Sequence, residues 1–510
     1  MPLNAVERRL LDLRYHWDEF TADPEPRLLV WTSPDAATRL VRCFFEVQKH
    51  EGEYVTGDLF IHFDAPFEHS IQYSRALKDA LVGQYAASRD DLIRQGLGST
   101  WDEAARAFPD SAFGFIQALR SFGGAYHTTI GHLVAVLAPT SVSKAAFLSA
   151  WLARALDAGL PERLRLVTVD SLETPRLSDL QAANPALVCR ETLALDATAV
   201  ITETFAQERT TGPAGVFRNL LMGLVALVEK ASAAQVELKA ADALAYVRAQ
   251  GWKDQEAVVL MLLAGAQLKE QQFDAAIAVY RNARAVAALA GQEGHPAGLA
   301  IVLQTWFGEA GGELAAGRVA NAAAAYDRAA VVAQETSNVL LGIEAFRMAA
   351  FCHARLGEHG AAIQRGGQAL ALGDRLRAEA RMMTTLPLAA TDLLRVISAP
   401  GMQAIEAIQR LTDQRGETLA AALEEHAAAS ERTTDPAVFR RTEETLARGT
   451  AALAQRAELE LGTRVAGTSV PFQQAFARAR GSLGKDWPLI IAVPSNGPAP
   501  AAAEQELAAT

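Results

Sequence analysis

The stretch Phe273-Asp-Ala-Ala-Ile-Ala-Val-Tyr-Arg-Asn-Ala-Arg284 decides the fold of the C-terminal half, because its pattern occurs three times in the chain. After the aromatic residue, Ala276, Tyr280 and Ala283 follow at spacings of three, four and three. Residues at these spacings share one face of an α-helix, so the pattern predicts a helix with small residues along that face. The other two copies are Gly317-Arg-Val-Ala-Asn-Ala-Ala-Ala-Ala-Tyr-Asp-Arg-Ala-Ala330 and Gly357-Glu-His-Gly-Ala-Ala-Ile-Gln-Arg-Gly-Gly-Gln-Ala-Leu370.

A segment with helical periodicity precedes each copy. These segments are Val258 to Lys269, Leu299 to Ala315 and Leu340 to Leu356. A helix pair of this kind cannot bury its apolar stripe alone and must stack on a neighbouring pair, which predicts an all-α array. Ala276 and Ala322 are 46 positions apart and Ala322 and Ala362 are 40 apart. Both spacings are longer than the usual repeat of about 34 residues, so longer helices or loops are expected.

These segments resemble the second helices of tetratricopeptide repeats, and the resemblance covers roughly residues 240–400. It implies a surface for binding other proteins, with the first helix of each pair lining the concave side. The candidate partner-binding positions on the first helices are Gln267, Glu309, Glu313, Arg347 and His353. Because two of them are acidic, we expect a client with basic residues.

The N-terminal half has a different pattern, in which short apolar runs alternate with helical stretches. Such alternation predicts an α/β domain with a parallel sheet, and runs that are apolar throughout predict strands buried on both faces. The strand candidates are 27–31, 58–63, 132–137, 164–169 and 186–189, and the helical stretches are 34–49, 67–88, 100–123 and 142–158. Ser33 and Pro34 suit the N-cap and first position of the first of these helices.

The loop after the first strand reads Trp31-Thr-Ser-Pro-Asp-Ala-Ala-Thr-Arg-Leu40. Strand, loop and helix in this order resemble the nucleotide-binding domain of AAA-type or STAND-type P-loop NTPases. The phosphate-loop positions would be Thr32, Ser33, Asp35, Thr38 and Arg39, yet the loop contains neither glycine nor lysine. The third strand ends in Ala138-Pro139 instead of a magnesium-holding acid. We therefore expect a degenerate P-loop-like domain; another type of α/β domain is the alternative.

The pattern divides the chain into six parts. We expect an N-terminal helix in residues 1–25, the α/β domain in 26–200 and connecting helices in 201–256. The tetratricopeptide-like repeats would then occupy 257–400 and capping helices 401–495, with a disordered, Pro- and Ala-rich tail in 496–510.

Composition limits the classes of function. A net charge of −11 disfavours nucleic acid as a partner, since non-specific affinity for phosphates comes from Lys and Arg. Cys43, Cys189 and Cys352 are far apart in apolar contexts and are expected to be buried free thiols. With no apolar run long enough to span a membrane and no signal-like N-terminus, a cytoplasmic protein is expected. The prevalence of Arg over Lys and of Ala suggests a high-GC bacterial genome.

These observations favour a non-catalytic adaptor, scaffold or chaperone without a cofactor, which binds a client protein or peptide through the array. A bacterial secretion or effector chaperone is one setting that suits this architecture. The alternative is a STAND-type signalling NTPase with an unusual nucleotide site. A third class, an enzyme with zinc or iron held by His62, Asp64 and His69, is disfavoured because a polar cluster at a strand end of an α/β domain has many ordinary causes.

Overall fold

The structure, a computed structural model, describes residues 3–50, 52, 54–94, 101, 107–128, 130–196, 199, 200, 203 and 212–489. The chain forms two compact units. The described residues of the first lie within Met1–Thr204 and Gln414–Leu453, and those of the second lie within Phe205–Asp413 and Ala454–Ile491. The expected tail at 496–510 lies outside the described residues.

The first unit contains a five-stranded, wholly parallel sheet of order β2-β3-β4-β1-β5. The strands are β1 Leu28–Ser33, β2 Leu59–Phe63, β3 Leu133–Leu137, β4 Leu164–Ser171 and β5 Val188–Thr192. The helices of this part of the unit are α1 Ala5–Ala22, α2 Thr38–Val47, α3 Ser70–Arg94, α4 Ala112–Ala125, α5 Ala145–Asp157 and α6 Ser178–Ala183. The α/β class and all five strand candidates are thus confirmed.

Strand β1 lies between β4 and β5, and its successive side chains, which point to opposite faces of the sheet, are all buried. Leu28 and Val30 join a core with side chains of α3, α4 and α5. Leu29 and Trp31 join a second core with side chains of α1 and α2. Helices therefore cover both faces, as the continuous apolar runs indicated.

The start of the first crossover helix differs from the prediction. Ser33 is the last residue of β1, and its hydroxyl donates to the carbonyl of Pro34 rather than capping a helix. A 3₁₀ turn at Asp35–Ala37 follows, and α2 begins only at Thr38. Strand pairing extends to Ser33, which pairs with Ser171, and this holds Ser33 in extended conformation.

The second unit is all-helical. Its helices are α7 Pro213–Lys230, α8 Ala233–Gln250, α9 Lys253–Lys269, α10 Phe273–Gln292, α11 Gly298–Ala315, α12 Val319–Glu335, α13 Val339–Arg355, α14 His359–Gly373, α15 Ala378–Arg381 and α16 Leu386–Ile397, followed by α19 Val470–Leu483. The three copies of the repeated pattern form α10, α12 and α14. Their small residues Ala276, Ala322 and Ala362 are fully buried, as a closely packed array requires.

Six successive helix corners in this array share one backbone conformation. At each, a residue with φ between 55° and 88° follows the helix, and these residues are Gly251, Gln271, Gly294, Gly317, Ser337 and Gly357. The amide of the next residue donates to a carbonyl five residues back, for example from Arg318 to Glu313 at 2.8 Å. This left-handed corner satisfies carbonyls that the helix end leaves unpaired.

Two long helices, α17 Ala399–Ala429 and α18 Pro436–Ala466, cross the boundary between the units. The prediction assigned residues 401–495 wholly to capping of the repeats, whereas Gln414–Leu453 belongs to the first unit. Three carboxylates explain the difference. Glu424 accepts from the Ser70 amide at 2.8 Å, Glu431 accepts from the Phe113 amide at 2.6 Å, and Glu443 forms a bidentate pair with Arg75. Burial raises the pKa of Glu431.

Candidate functional site

The first helices of the three pairs, α9, α11 and α13, each carry one stripe of incompletely buried residues that recurs from pair to pair. Residues at repeat-equivalent positions line these stripes, which we call the first-helix face. It comprises Met261, Gly265 and Leu268 on α9, Phe307, Gly311 and Leu314 on α11, and Arg347, Phe351 and Ala354 on α13. Most of these are apolar, and Phe351 is 38% exposed. The face is thus formed mainly by apolar side chains that the array buries only in part.

Two glycines of this face, Gly265 and Gly311, have no packing reason within the described chain. No heavy atom lies within 4 Å of the position where a Cβ would stand at either residue. In contrast, a Cβ at Gly308 would stand 2.3 Å from the Tyr280 ring, so that glycine is needed for packing. Glycine in a helix interior is less favourable than alanine by about 1 kcal/mol. Gly265 and Gly311 leave bare helix backbone at equivalent positions of two repeats.

The acidic candidates Glu309 and Glu313 are buried, with relative exposures of 5% and 2%. Glu309 pairs with Arg281 at 2.7 Å and with Arg284, and Glu313 pairs with Arg281 at 3.1 Å and with Arg318. The arginines come from α10 and from the corner before α12, so the carboxylates join neighbouring helices. The expectation that they present free acid to a basic client is therefore corrected.

Two of the remaining candidates, Gln267 and His353, also have side chains that are mostly buried in the array. Gln267 is buried at the position equivalent to Glu313. Both ring nitrogens of His353 lie near carboxylates, Nε2 at 3.2 Å from Asp327 and Nδ1 at 2.6 Å from Glu358.

Of the five positions, Arg347 alone belongs to the first-helix face. Its bidentate hydrogen bonds to Glu344, at 2.8 and 2.6 Å, raise its pKa. The guanidinium is thus held in place on the face.

Sequence reasoning missed the two glycines, although a signal for them was present. Gly265 and Gly311 are 46 positions apart, the same spacing that separates Ala276 from Ala322. Only the structure distinguishes Gly311 from the packed glycines of the same helix, since that distinction depends on neighbouring helices.

The phosphate-loop positions lie at the carboxyl end of β1. Thr32 and Ser33 are buried strand residues, Asp35 is in the 3₁₀ turn, Thr38 opens α2 and Arg39 is exposed. The Glu173 carboxylate accepts from the Asp35 amide at 3.0 Å, and the amides of Ala37 and Thr38 are used by the turn itself. An internal carboxylate thus lies where a phosphate loop would offer an amide to an anion.

The neighbouring strand end is occupied by Asp170, which is buried. Its carboxylate accepts from the amides of Arg176 and Leu177 and pairs with Arg190 at 2.9 Å. These contacts tie the segment before α6 to the end of β4.

The histidines considered for a metal are not assembled into a site. His62 Nε2 lies 3.3 Å from the Phe45 carbonyl, whereas His69 is buried beside Glu443. Among the described residues, no group of three or more His, Cys, Asp or Glu side chains is arranged to hold a metal ion. The cysteines there are free; Cys352 is buried, and Cys43 and Cys189 are half-buried.

Within the described residues, every helix is too short or too polar to cross a membrane.

Comparison with known proteins gives little further information. No family model matches the chain, and no curated protein matches it either. Among solved structures, aspartyl phosphate phosphatase F from Bacillus subtilis is 12% identical, with 82% of this chain and 94% of that chain covered and a TM-score of 0.31. The apo form of RapI is 10% identical, with coverage of 81% and 97% and a TM-score of 0.31. A STAND protein with a tetratricopeptide repeat sensor from Pyrococcus horikoshii is 8% identical, with coverage of 93% and 94% and a TM-score of 0.23. At these scores the similarities carry no weight for function, and the fold class rests on the parallel sheet and the helical array themselves.

Proposed function

We propose that the protein is a non-catalytic adaptor that binds a segment of a client protein on the first-helix face. Gly265 and Gly311 are the observation that carries this proposal. They lower helix stability without a packing benefit within the described chain, and a partner that packs against the bare backbone would supply such a benefit. Bare backbone at these positions lets a client chain approach closely, and the half-buried side chains of Met261, Phe307 and Phe351 offer apolar contacts beside it.

Photo-crosslinking in the native cells tests this surface directly. The full chain would carry p-benzoylphenylalanine at position 351, and the matched control would carry it at Leu289, which is 47% exposed on α10 outside the face. We expect one discrete protein adduct from position 351 and none from position 289. Equal adducts from both positions, or none from position 351, would contradict the proposal.

Substitution of Gly311 separates a binding role from a structural one. Because a Cβ meets open space there, Gly311→Ala is expected to raise the free energy of unfolding of the array by about 0.5–1 kcal/mol. Gly311→Gln, which adds bulk on the same helical position, is expected to fold but to lose the adduct at position 351. If Gly311→Gln keeps the full yield of adduct, close approach to this glycine is not required.

The first unit then serves as a second docking surface without nucleotide chemistry. Two features support the absence of nucleotide chemistry. The Glu173 carboxylate accepts the hydrogen bond of the Asp35 amide, and Ala138 and Pro139 follow β3 at the place where an acidic residue would hold magnesium. The parallel sheet nevertheless fits the resemblance to AAA-type and STAND-type domains.

Calorimetry of the full chain with ATP, ADP and GTP plus magnesium tests the alternative, a STAND-type signalling NTPase. We expect no heat of binding. A Kd below about 100 μM for any of these nucleotides would favour the signalling NTPase instead.

A further inference from the structure

The second unit contains a groove that the proposed function does not use. It has a volume of about 830 Å³ and lies between the first turn of α17, the last turns of α18 and the start of α19. We call it the C-terminal groove and define it by Ser398, Gly401, Arg456, Leu459, Glu460 and Arg464. It shares no residue with the first-helix face, so the two surfaces are tested independently.

An apolar side chain stands exposed within this groove. Leu459 is 74% exposed, and Val470 nearby, next to the lining residue Ser469, is 62% exposed. A protein core does not need Leu459, since the core of this unit is completed on the opposite side of α18 by Ala457 and Leu461. An exposed leucine in a concave site provides apolar contact for an incoming side chain.

The charges of the groove indicate which kind of partner fits. Arg456 and Arg464 are exposed, and neither side chain has an ion-pair or hydrogen-bond partner among the described residues. Glu460 lies between them on the same helix face and is likewise unpaired there. The groove therefore presents positive charge at both ends and negative charge in the middle.

The spacing of the two arginines sets the spacing of the complementary groups. Eight residues of α-helix span about 12 Å, at 1.5 Å per residue. Four residues of extended chain span about 13 Å, and alternate side chains of that chain point the same way. Two carboxylates four residues apart would thus meet Arg456 and Arg464, and the residue midway between them would lie over Leu459 and its neighbour Glu460. Glu460 disfavours a third carboxylate at that middle position.

We infer that the C-terminal groove binds an extended acidic segment of a partner protein with the pattern acid-x-apolar-x-acid. The two carboxylates pair with Arg456 and Arg464, and the apolar side chain packs on Leu459. The contacts are surface ion pairs around one apolar anchor, so binding weakens as the salt concentration rises.

Fluorescence anisotropy with the full chain tests this inference. The probe is a fluorescein-labelled peptide Ser-Glu-Ala-Leu-Ala-Glu-Ser, and the comparison peptides replace both Glu by Lys or the Leu by Ser. We expect binding of the first peptide only. The double variant Arg456→Glu/Arg464→Glu should weaken that binding about tenfold or more, since each reversal replaces an attraction by a repulsion.

The matched control is Arg440→Glu, which reverses an exposed arginine on the same helix outside the groove and should change the affinity less than about twofold. Binding of the Lys peptide by the double variant would confirm the pairing. No binding of the Glu peptide at millimolar concentration, or equal loss in Arg440→Glu, would overturn the inference. Thermal melts by circular dichroism verify that each variant is folded, and the crosslinking at position 351 is unaffected by any of these outcomes.

Discussion

At the scale of single residues, two corners of the array have a residue other than glycine in a left-handed backbone conformation, which favours glycine. Four of the six left-handed corner positions are glycine, but Gln271 and Ser337 have φ values of 61° and 55°. For a residue with a Cβ, this backbone conformation is less favourable than the right-handed one by about 1 kcal/mol. Gln271 is exposed, and its side chain makes no hydrogen bond in the described structure. The strain at this position is therefore not offset locally.

We expect Gln271→Gly to raise the free energy of unfolding by about 0.5–1 kcal/mol, because glycine removes the strain at the cost of some unfolded-state entropy. Urea unfolding followed by circular dichroism measures it. The matched control is Gly317→Ala, which introduces the same strain at the equivalent corner and should destabilise the array by about 1 kcal/mol. The change in the free energy of unfolding should be positive for Gln271→Gly and negative for Gly317→Ala. Changes of the same sign would show that the two corners are not equivalent.

His69 provides a prediction on pH. Burial and the nearby Arg75 lower its pKa to about 4, and its neutral Nδ1 accepts from the Gln72 amide at 3.2 Å in the first turn of α3. The unfolded chain binds a proton near pH 6.5, so between pH 6.5 and 4 the unfolded state is the more protonated one and stability falls as the pH falls. At pH 5 the loss is about 2 kcal/mol.

His69→Asn isolates this contribution, because an asparagine accepts from the same amide but does not titrate. The melting temperature of the variant should fall less than that of the wild type between pH 6.5 and 4.5. Identical pH profiles would mean that other groups govern the acid sensitivity. Glu443, which lies 3.7 Å from His69 Nε2, is unchanged in the variant.

At the scale of the elements, helices α10, α11 and α12 are joined by the ion pairs of Glu309 and Glu313. Glu309 is buried with two arginine partners, whereas the side chain of Arg281 is 54% exposed. Removing the buried carboxylate leaves Arg284 without its ion-pair partner, and a broken buried pair costs about 3 kcal/mol. Glu309→Ala should destabilise the array by that amount. Arg281→Ala should cost less than about 1 kcal/mol, since solvent screens an exposed guanidinium.

Urea unfolding of Glu309→Ala and Arg281→Ala measures the difference between their free energies of unfolding. If Glu309→Lys folds with an unchanged free energy of unfolding, the Glu309 carboxylate does not stabilise the array. The hypothesis that Glu309 contacts a basic client would then be favoured again.

The same elements show which features a sequence reveals. The strands were predictable because β3 is apolar throughout and β1 and β4 are mostly apolar, and the second helices were predictable because Ala276, Ala322 and Ala362 recur in register. The burial of Glu309 was not predictable, since the arginines that pair with it lie on another helix. Register shows that Glu313 and His353 are equivalent, but it does not show that both face inward.

At the scale of the whole molecule, the largest departure from the sequence-based division is the place of Gln414–Leu453. Glu424 contacts Ser70 across 354 positions of sequence, and no local pattern identifies a partner at that separation. The carboxylates of Glu424 and Glu431 accept from amides in the first turns of α3 and α4, where helix ends leave amides unpaired. Ile71 also packs with Leu423 and Phe439. The first unit is therefore incomplete without this later segment.

We expect a fragment of residues 1–204 to lack a cooperative thermal transition, because these amides and the apolar side chain of Ile71 are left without partners. Addition of a fragment of residues 399–466 should restore the transition. Glu424→Ala/Glu431→Ala in the added fragment should prevent the recovery, whereas Arg448→Ala, an exposed residue of the same fragment, should not. A stable fold of residues 1–204 alone would show that the later segment is dispensable.

The identical corners at Gly317 and Gly357 also make the array extensible by design. A duplicate of residues 318–357, inserted directly after Gly357, would begin after a left-handed glycine and end on one, so neither junction would require a new turn. Each added module would bring the helices Val319–Glu335 and Val339–Arg355 with it. A series of such insertions offers a molecular ruler, in which the length of the client segment that is bound should grow in steps of one module.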